Sequence, residues 1–163
     1  MPDSIVKEAL REIEPLDADD SVGIAAQRIV EAGLPALPAA ESDGRFAGIF
    51  GEREFMAALF PGYVAELSSS AMISRSMDDA IDRRLECASE PIRNYLTRDA
   101  VLVEDDYSDT QLAELFLHHR VLVIPIATSG RIHAVVTRHD YFQALVNRFV
   151  RRAIRSDDVP ELG

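Results

Sequence analysis

GRFAGIFGEREFMAALF (residues 44–60) and GRIHAVVTRHDYFQALV (residues 130–146) align without a gap, 86 positions apart. Gly-Arg opens both stretches, a run of β-branched and aromatic residues follows, and each then crosses a polar junction into a helical pattern. Phe55, Met56, Ala58 and Leu59 meet Tyr141, Phe142, Ala144 and Leu145, so the two helices share one apolar face. The correspondence continues upstream at an offset of 87, where VGIAAQRIV (22–30) lies on DTQLAELFL (109–117). Ala25, Ala26, Ile29 and Val30 meet Leu112, Ala113, Phe116 and Leu117, the i, i+1, i+4, i+5 positions of an amphipathic helix. Ser21 and Ser108 stand just before these helices, where a hydroxyl caps free amides. LPALP (34–38) lies on VLVIP (121–125), with Pro38 on Pro125.

Each half therefore reads β–α–β–β–α, with short opening strands around Pro15–Asp17 and Val101–Val103. A half this small buries too little surface to be comfortable alone. The expected fold is α+β: two β–α–β–β–α repeats packed as a pseudo-two-fold pair, with extra helices in the N-terminus and the linker. Residues 1–60 form the first repeat with an N-terminal helix over Ser4–Ile13, whose Ile5, Ala9 and Ile13 share one side. Residues 61–99 form a helical linker, 100–155 the second repeat, and 156–163 a flexible tail. In the linker, Ser76 caps a helix bearing Met77, Ile81, Leu85 and Ala88, and Pro91 opens a short helix through Leu96. SSSAMIS (68–74) reads as a mobile loop.

Bulk properties exclude several classes. The net charge is −11, with 28 acidic against 17 basic residues, which argues against a nucleic-acid polymer but not against one nucleotide in a locally basic pocket. No apolar run approaches the ~20 residues of a membrane span, and MPDSIVKEALREIE lacks the apolar stretch of a signal peptide; the expected compartment is the cytoplasm. Cys87 is the sole cysteine, so there is no internal disulfide and no cysteine-based metal cluster. His118 and His119 would point ~100° apart on a helix, which disfavours a shared metal. Nucleophile-elbow, P-loop and dinucleotide-binding motifs are absent, and no catalytic site is expected. Arg148, Arg151, Arg152 and Arg155 read as favourable charge at the end of the last helix.

The junction AVVTRHD (134–140) allows two readings. Thr137 and Asp140 have the spacing of a capping box, hydroxyl at the N-cap and carboxylate three residues on. The same pair suits a polyhydroxylated ligand such as a ribose, because an ionised carboxylate only accepts hydrogen bonds and a diol offers two.

A tandem β–α–β–β–α repeat with proline in the first long strand and such a junction after the second resembles a pair of CBS (cystathionine β-synthase) domains. AVVTRHD differs from the family junction mainly in Ala134, where glycine is usual. GIFGERE (48–54) departs further, with Gly51 in place of the hydroxyl and Glu54 in place of the aspartate. The resemblance implies a regulatory Bateman-type module, not an enzyme. It implies a homodimer that binds an adenosyl compound (AMP, ADP, ATP or S-adenosylmethionine) and signals to an effector protein. Carried over by position, Asp140 accepts the ribose and Thr137 faces phosphate or sugar. Arg138 and His139 meet phosphate, and Val101, Leu122, Val123, Ile124 and Pro125 wall the base. Gly51, Arg53 and Glu54 mark the corresponding first cleft. The rival expectation is a dimerisation or protein-interaction module with empty clefts, using Phe142, Leu145, Phe149 and Val150 as its surface.

Overall fold

A computed structural model describes residues 4–61 and 76–157. The stretch 68–74 and the chain after 157 lie outside the described residues. In chain order the elements are α1 (Ile5–Ala9), β1 (Leu10–Glu12), β2 (Leu16–Asp17), α2 (Val22–Ala32), β3 (Ala36–Ala40), β4 (Phe46–Gly51) and α3 (Glu52–Leu59). There follow α4 (Met77–Asp82), 3-10 turns at Leu85–Ser89 and Ile92–Asn94, β5 (Val103–Glu104), α5 (Asp109–His118), β6 (Val123–Thr128), β7 (Arg131–Thr137) and α6 (Arg138–Asp157).

Each repeat supplies three strands in the same order, β2–β3–β4 and β5–β6–β7, with a parallel outer pair and an antiparallel hairpin. The duplication extends to irregularities: the register shifts at Ala39/Ala40 in one hairpin and at Ile126/Ala127 in the other. Pro38 and Pro125 lie one residue before β2 and β5 begin to pair, opposite Ala39 and Ile126. Their missing N–H therefore leaves no ladder bond unmade on that side. The expected caps form. Ser21 accepts from Ile24 N, Ser76 from Asp79 N, and Ser108 exchanges bonds with Gln111 in a full capping box. Gly33 ends α2 in the left-handed region, φ 64°, and its N–H closes on the carbonyls of Ile29 and Val30.

The segments that precede each repeat change places. β1 pairs antiparallel with β7 of the second repeat, Arg11 opposite Val135. Thr97 exchanges two backbone bonds with Ile49 of β4 in the first repeat, at 2.9 and 3.0 Å. The single helix expected over Ser4–Ile13 is corrected accordingly: it stops at Ala9 because Leu10–Glu12 satisfies the open edge of β7 instead. Asp109 holds α1 in place, accepting from Ser4 Oγ (2.7 Å) and from the amides of Ile5 and Val6 (3.0 Å each). The N-terminal segment, grouped with the first repeat in the sequence reading, thus packs on α5, α6 and β7 of the second. The linker wraps the first repeat in return. Ile92 N donates to Asp20 O, Arg93 N to Ala18 O, and the Arg93 guanidinium forks onto Glu41 at 2.7 and 2.8 Å. The linker helix ends at Asp82, so Leu85 and Ala88 lie in a 3-10 turn rather than on a helical stripe.

Two cores result. Leu16, Val22, Ala25, Ile29, Leu37, Phe50 and Ile92 pack with Val123 and Val135, so one side of the second sheet closes on the first repeat. Ile124, Ile126, Ala134 and Val136, on the other side of the same strands, pack with Val6, Leu112 and Tyr141. Both faces of β6 and β7 are buried, which is why these strands read as continuous apolar runs. Only half of each expected helix face follows them inward. Ala25 and Leu112 are buried while Val30 and Leu117 are exposed; Ala58 and Ala144 are buried while Met56 and Phe142 are exposed.

Gly51 ends β4 opposite Ala36, as Thr137 ends β7 opposite Val123. A Cβ on Gly51 would stand 2.4 Å from Ala36 Cβ and 2.5 Å from Pro35 O. Gly51→Thr is therefore expected to destabilise by about 2 kcal/mol or more, read as a lowered urea midpoint with unchanged slope. In the first turn of α3, Glu54 is only 7% exposed. Burial raises its carboxyl above the ordinary range, more strongly than its own backbone amide and Arg53 lower it. A raised carboxyl binds its proton more tightly in the folded chain, so it costs stability as pH climbs past the unfolded value. Glu54→Gln should melt above the parent at neutral pH, and the gap should close towards about pH 4; a constant gap would assign it to packing instead.

Candidate functional site

Thr137, the last residue of β7, is 4% exposed. Its hydroxyl accepts from Asp140 N at 3.0 Å, which caps the 20-residue helix α6. Arg138 N donates to Leu122 O at 2.9 Å and fastens the junction to the chain entering β6; Glu52 N does the same to Pro35 O at 3.0 Å in the first repeat. The box is completed on one side only. Asp140's carboxylate turns instead to Arg11 on β1: Nη2 donates to Oδ1 at 3.0 Å, and Nε stands 2.7 Å from Oδ2. Oδ2 is buried and has no hydrogen-bond partner among the described residues; the charge of the guanidinium lies against it. The Asp140 side chain is 13% exposed and that of Arg11 44%.

This pair lines a cavity of about 730 Å³ formed by both repeats. Gly33, Leu34, Pro35 and Glu52 come from the first, and Leu122, Thr137, Arg138, His139, Asp140 and Phe142 from the second. The volume falls within the ~300–1,000 Å³ of small-molecule sites. Its polar groups suit an anion beside a diol: Arg11, Arg138, His139 and the positive end of α6 surround one carboxylate that only accepts.

The structure brings together Thr137, Arg138, His139, Asp140 and Leu122 of the residues expected to form the second cleft. The other expected residues lie apart from this cavity. Val123, Ile124 and Pro125 are buried within β6 and Val101 is half-buried before β5, and none of the four lines the cavity. The alternation of β6 aims Val123 at the first repeat and Ile124 at the helices, so both are used up in the cores. The opposite wall comes from Gly33–Pro35 of the other repeat, which the sequence reading did not include. Pro35 corresponds to Leu122 at the offset of 87, so the repeat alignment held that signal. Arg11 was also missed, because LRE was read as helix rather than as an edge strand.

The first junction is built differently. Gly51 faces an apolar groove of about 380 Å³ between α2 and α3, lined by Ala26, Ile29, Val30 and Phe55. Arg53 is exposed and Glu54 buried, and neither lines that groove or the larger cavity. Where Arg11 stands opposite Val135, the equivalent position opposite Ile49 is Thr97, which brings no cation.

The CBS-domain family model matches residues 3–61, the repeat whose junction departs further from the family pattern. No curated protein matches the sequence. Solved structures agree in fold. The CBS domain of a CBS domain-containing membrane protein from Sphaerobacter thermophilus superposes with a TM-score of 0.67 at 20% identity, covering 86% of each chain. A CBS domain-containing protein from Kribbella flavida gives 0.65 at 18% identity over 88% of this chain and 98% of its own. CBSX2, solved in complex with AMP, gives 0.63 at 16% identity over 89% and 98%. Residues 3–61 thus match the CBS-domain family, and the chain as a whole, with its doubled hairpins, junctions and bulges, shares the fold of these CBS-domain structures.

Proposed function

We propose that this protein is a regulatory CBS pair that binds an adenosyl ligand (AMP, ADP, ATP or S-adenosylmethionine) between its repeats and passes occupancy to an effector protein. The observation that carries this reading is the inward Asp140 carboxylate beside a capped helix N-terminus, in a cavity walled by both repeats. In this reading the ribose diol donates to Asp140 and Thr137 stands beside the sugar. Phosphate or another anionic group lies towards Arg138, His139 and the positive end of α6. Leu34, Pro35, Leu122 and Phe142 offer apolar surface to the base. The neighbour solved with AMP supports adenine nucleotides as the first class to test. No bond is made or broken. Because the walls belong to different repeats, a ligand favours whichever arrangement of the pair best closes on it, and that is the signal available to a partner. The cytoplasm is the proposed compartment, and no described helix is long and apolar enough to cross a membrane.

A second reading, an interaction module with unoccupied clefts, draws on the helices. Their outward apolar residues recur at equivalent positions of the repeats, Val30 with Leu117 and Met56 with Phe142, and continue along α6 through Leu145, Phe149 and Val150. A surface duplicated with the fold suits a second copy of the chain, and we propose a homodimer under either reading.

Asp140→Ala separates the two. At 100 times its Kd a ligand adds ~2.7 kcal/mol, several degrees of melting temperature for a domain this size. The parent should show this shift with at least one of the four ligands. Asp140→Ala should fold, since it removes a pair near the surface, and should lose the shift. An undiminished shift in the variant would exclude the ribose assignment. For the dimer, light scattering should give twice the chain mass for the parent and the chain mass for Phe149→Glu, which places a charge on a residue 72% exposed in the isolated chain.

A further inference from the structure

Arg11 belongs to no part of the CBS pattern read in the sequence, yet it holds the group on which the proposed function depends. Its backbone is fixed in the ladder of β1 with β7, opposite Val135. Its guanidinium forks onto both oxygens of Asp140, at 3.0 and 2.7 Å, and lines the same cavity. A vicinal diol that donates to both oxygens competes for the edge of the carboxylate that the fork now covers. The ligand and the guanidinium therefore contend for one acceptor.

We propose, resting on the reading of the cleft as an adenosyl site, that Arg11 sets its selectivity for charged ligands. It covers Asp140 when no sugar is present, and it turns to the phosphate when a ribose takes the carboxylate. Three observations support this role. The Arg11 side chain is 44% exposed, so the guanidinium is readily hydrated once a ligand takes its place on the carboxylate. A guanidinium released at the rim offers five donors in a fork that fits phosphate as well as it fits carboxylate. The device is also specific to this cavity: the equivalent position in the other repeat is Thr97, and no arginine fork on the buried Glu54 beside that junction is found among the described residues.

The consequence is selection by charge. A neutral nucleoside must displace Arg11 and return nothing to it, whereas a nucleotide displaces it from one anion and supplies another. Asp140 alone would bind the ribose of either without preference. Arg11 thus penalises the nucleoside and favours the nucleotide.

Titration calorimetry of the full chain with AMP and with adenosine tests this in the parent, Arg11→Met and Arg11→Lys, with circular dichroism confirming that each variant folds. The parent should prefer AMP. Arg11→Met should bind adenosine more tightly and AMP more weakly, so that the preference falls by roughly tenfold or more, the worth of one charge-assisted hydrogen bond. Arg11→Lys should retain much of the preference. If Arg11→Met changes both affinities by the same factor, Arg11 merely supports the strand and the inference fails while the adenosyl site stands. If the parent binds nothing and Arg11→Met binds both ligands equally, Arg11 is only a cover and its phosphate role is excluded. If no form binds either compound, the proposed site itself fails and takes this inference with it.

Discussion

The arrangement depends on the pairing of open strand edges. A three-stranded sheet leaves a row of unsatisfied N–H and C=O groups along its last strand, and each repeat here meets that demand with chain drawn from before the other repeat. Leu10–Glu12 adds to β7, and Thr97 bonds to β4. Because the exchange is reciprocal, neither sheet has its present edge without the segment that leads into the other. The same exchange sets Arg11 against Asp140 in the lining of the cavity between the repeats.

The repeats are equal in backbone and unequal in chemistry, and the difference traces to contacts a few ångströms across. At the end of β7, Val123 leaves room for Thr137, whose hydroxyl caps α6 and whose neighbours open into the cavity. At the end of β4, Ala36 and Pro35 close on Gly51 so tightly that no side chain fits. A hydroxyl is thus sterically barred from one junction and built into the other. The carboxylates diverge in parallel. Asp140 lies against a guanidinium, whereas Glu54 is buried and burial pushes its carboxyl above the ordinary range. A symmetry of fold thus carries two chemically different junctions.

The cleft and the outer helices are mechanically continuous. α6 begins at the capped junction, carries Phe142 on the cavity wall, and runs on past Phe149 with its apolar side outward. α2 ends at Gly33, which lines the opposite wall. In the proposed reading, a ligand that draws the walls together acts on the ends of these two helices. Packed elements of this kind shift as bodies rather than deform gradually, which is the physical route from pocket to surface that the proposal uses.

Much of this was legible in one dimension. Periodicity of 2 and 3.6, matched at fixed offsets, sufficed for the doubled β–α–β–β–α plan, for the serine caps, and for the junction at Thr137–Asp140, because these features are local or repeat along the chain. Three others required the folded molecule. LRE follows a good helical segment and extends only because the edge of β7 captures it, so its strand character and the Arg11–Asp140 pair depend on residues more than a hundred positions away. Strand alternation places Val123 and Ile124 in two cores, and Gly33–Pro35 of the other repeat line the cavity. The linker stripe of Leu85 and Ala88 yields to a 3-10 turn. Local propensity selects elements; which edge, face or cation completes them is settled by long-range pairing, whose energy exceeds those preferences.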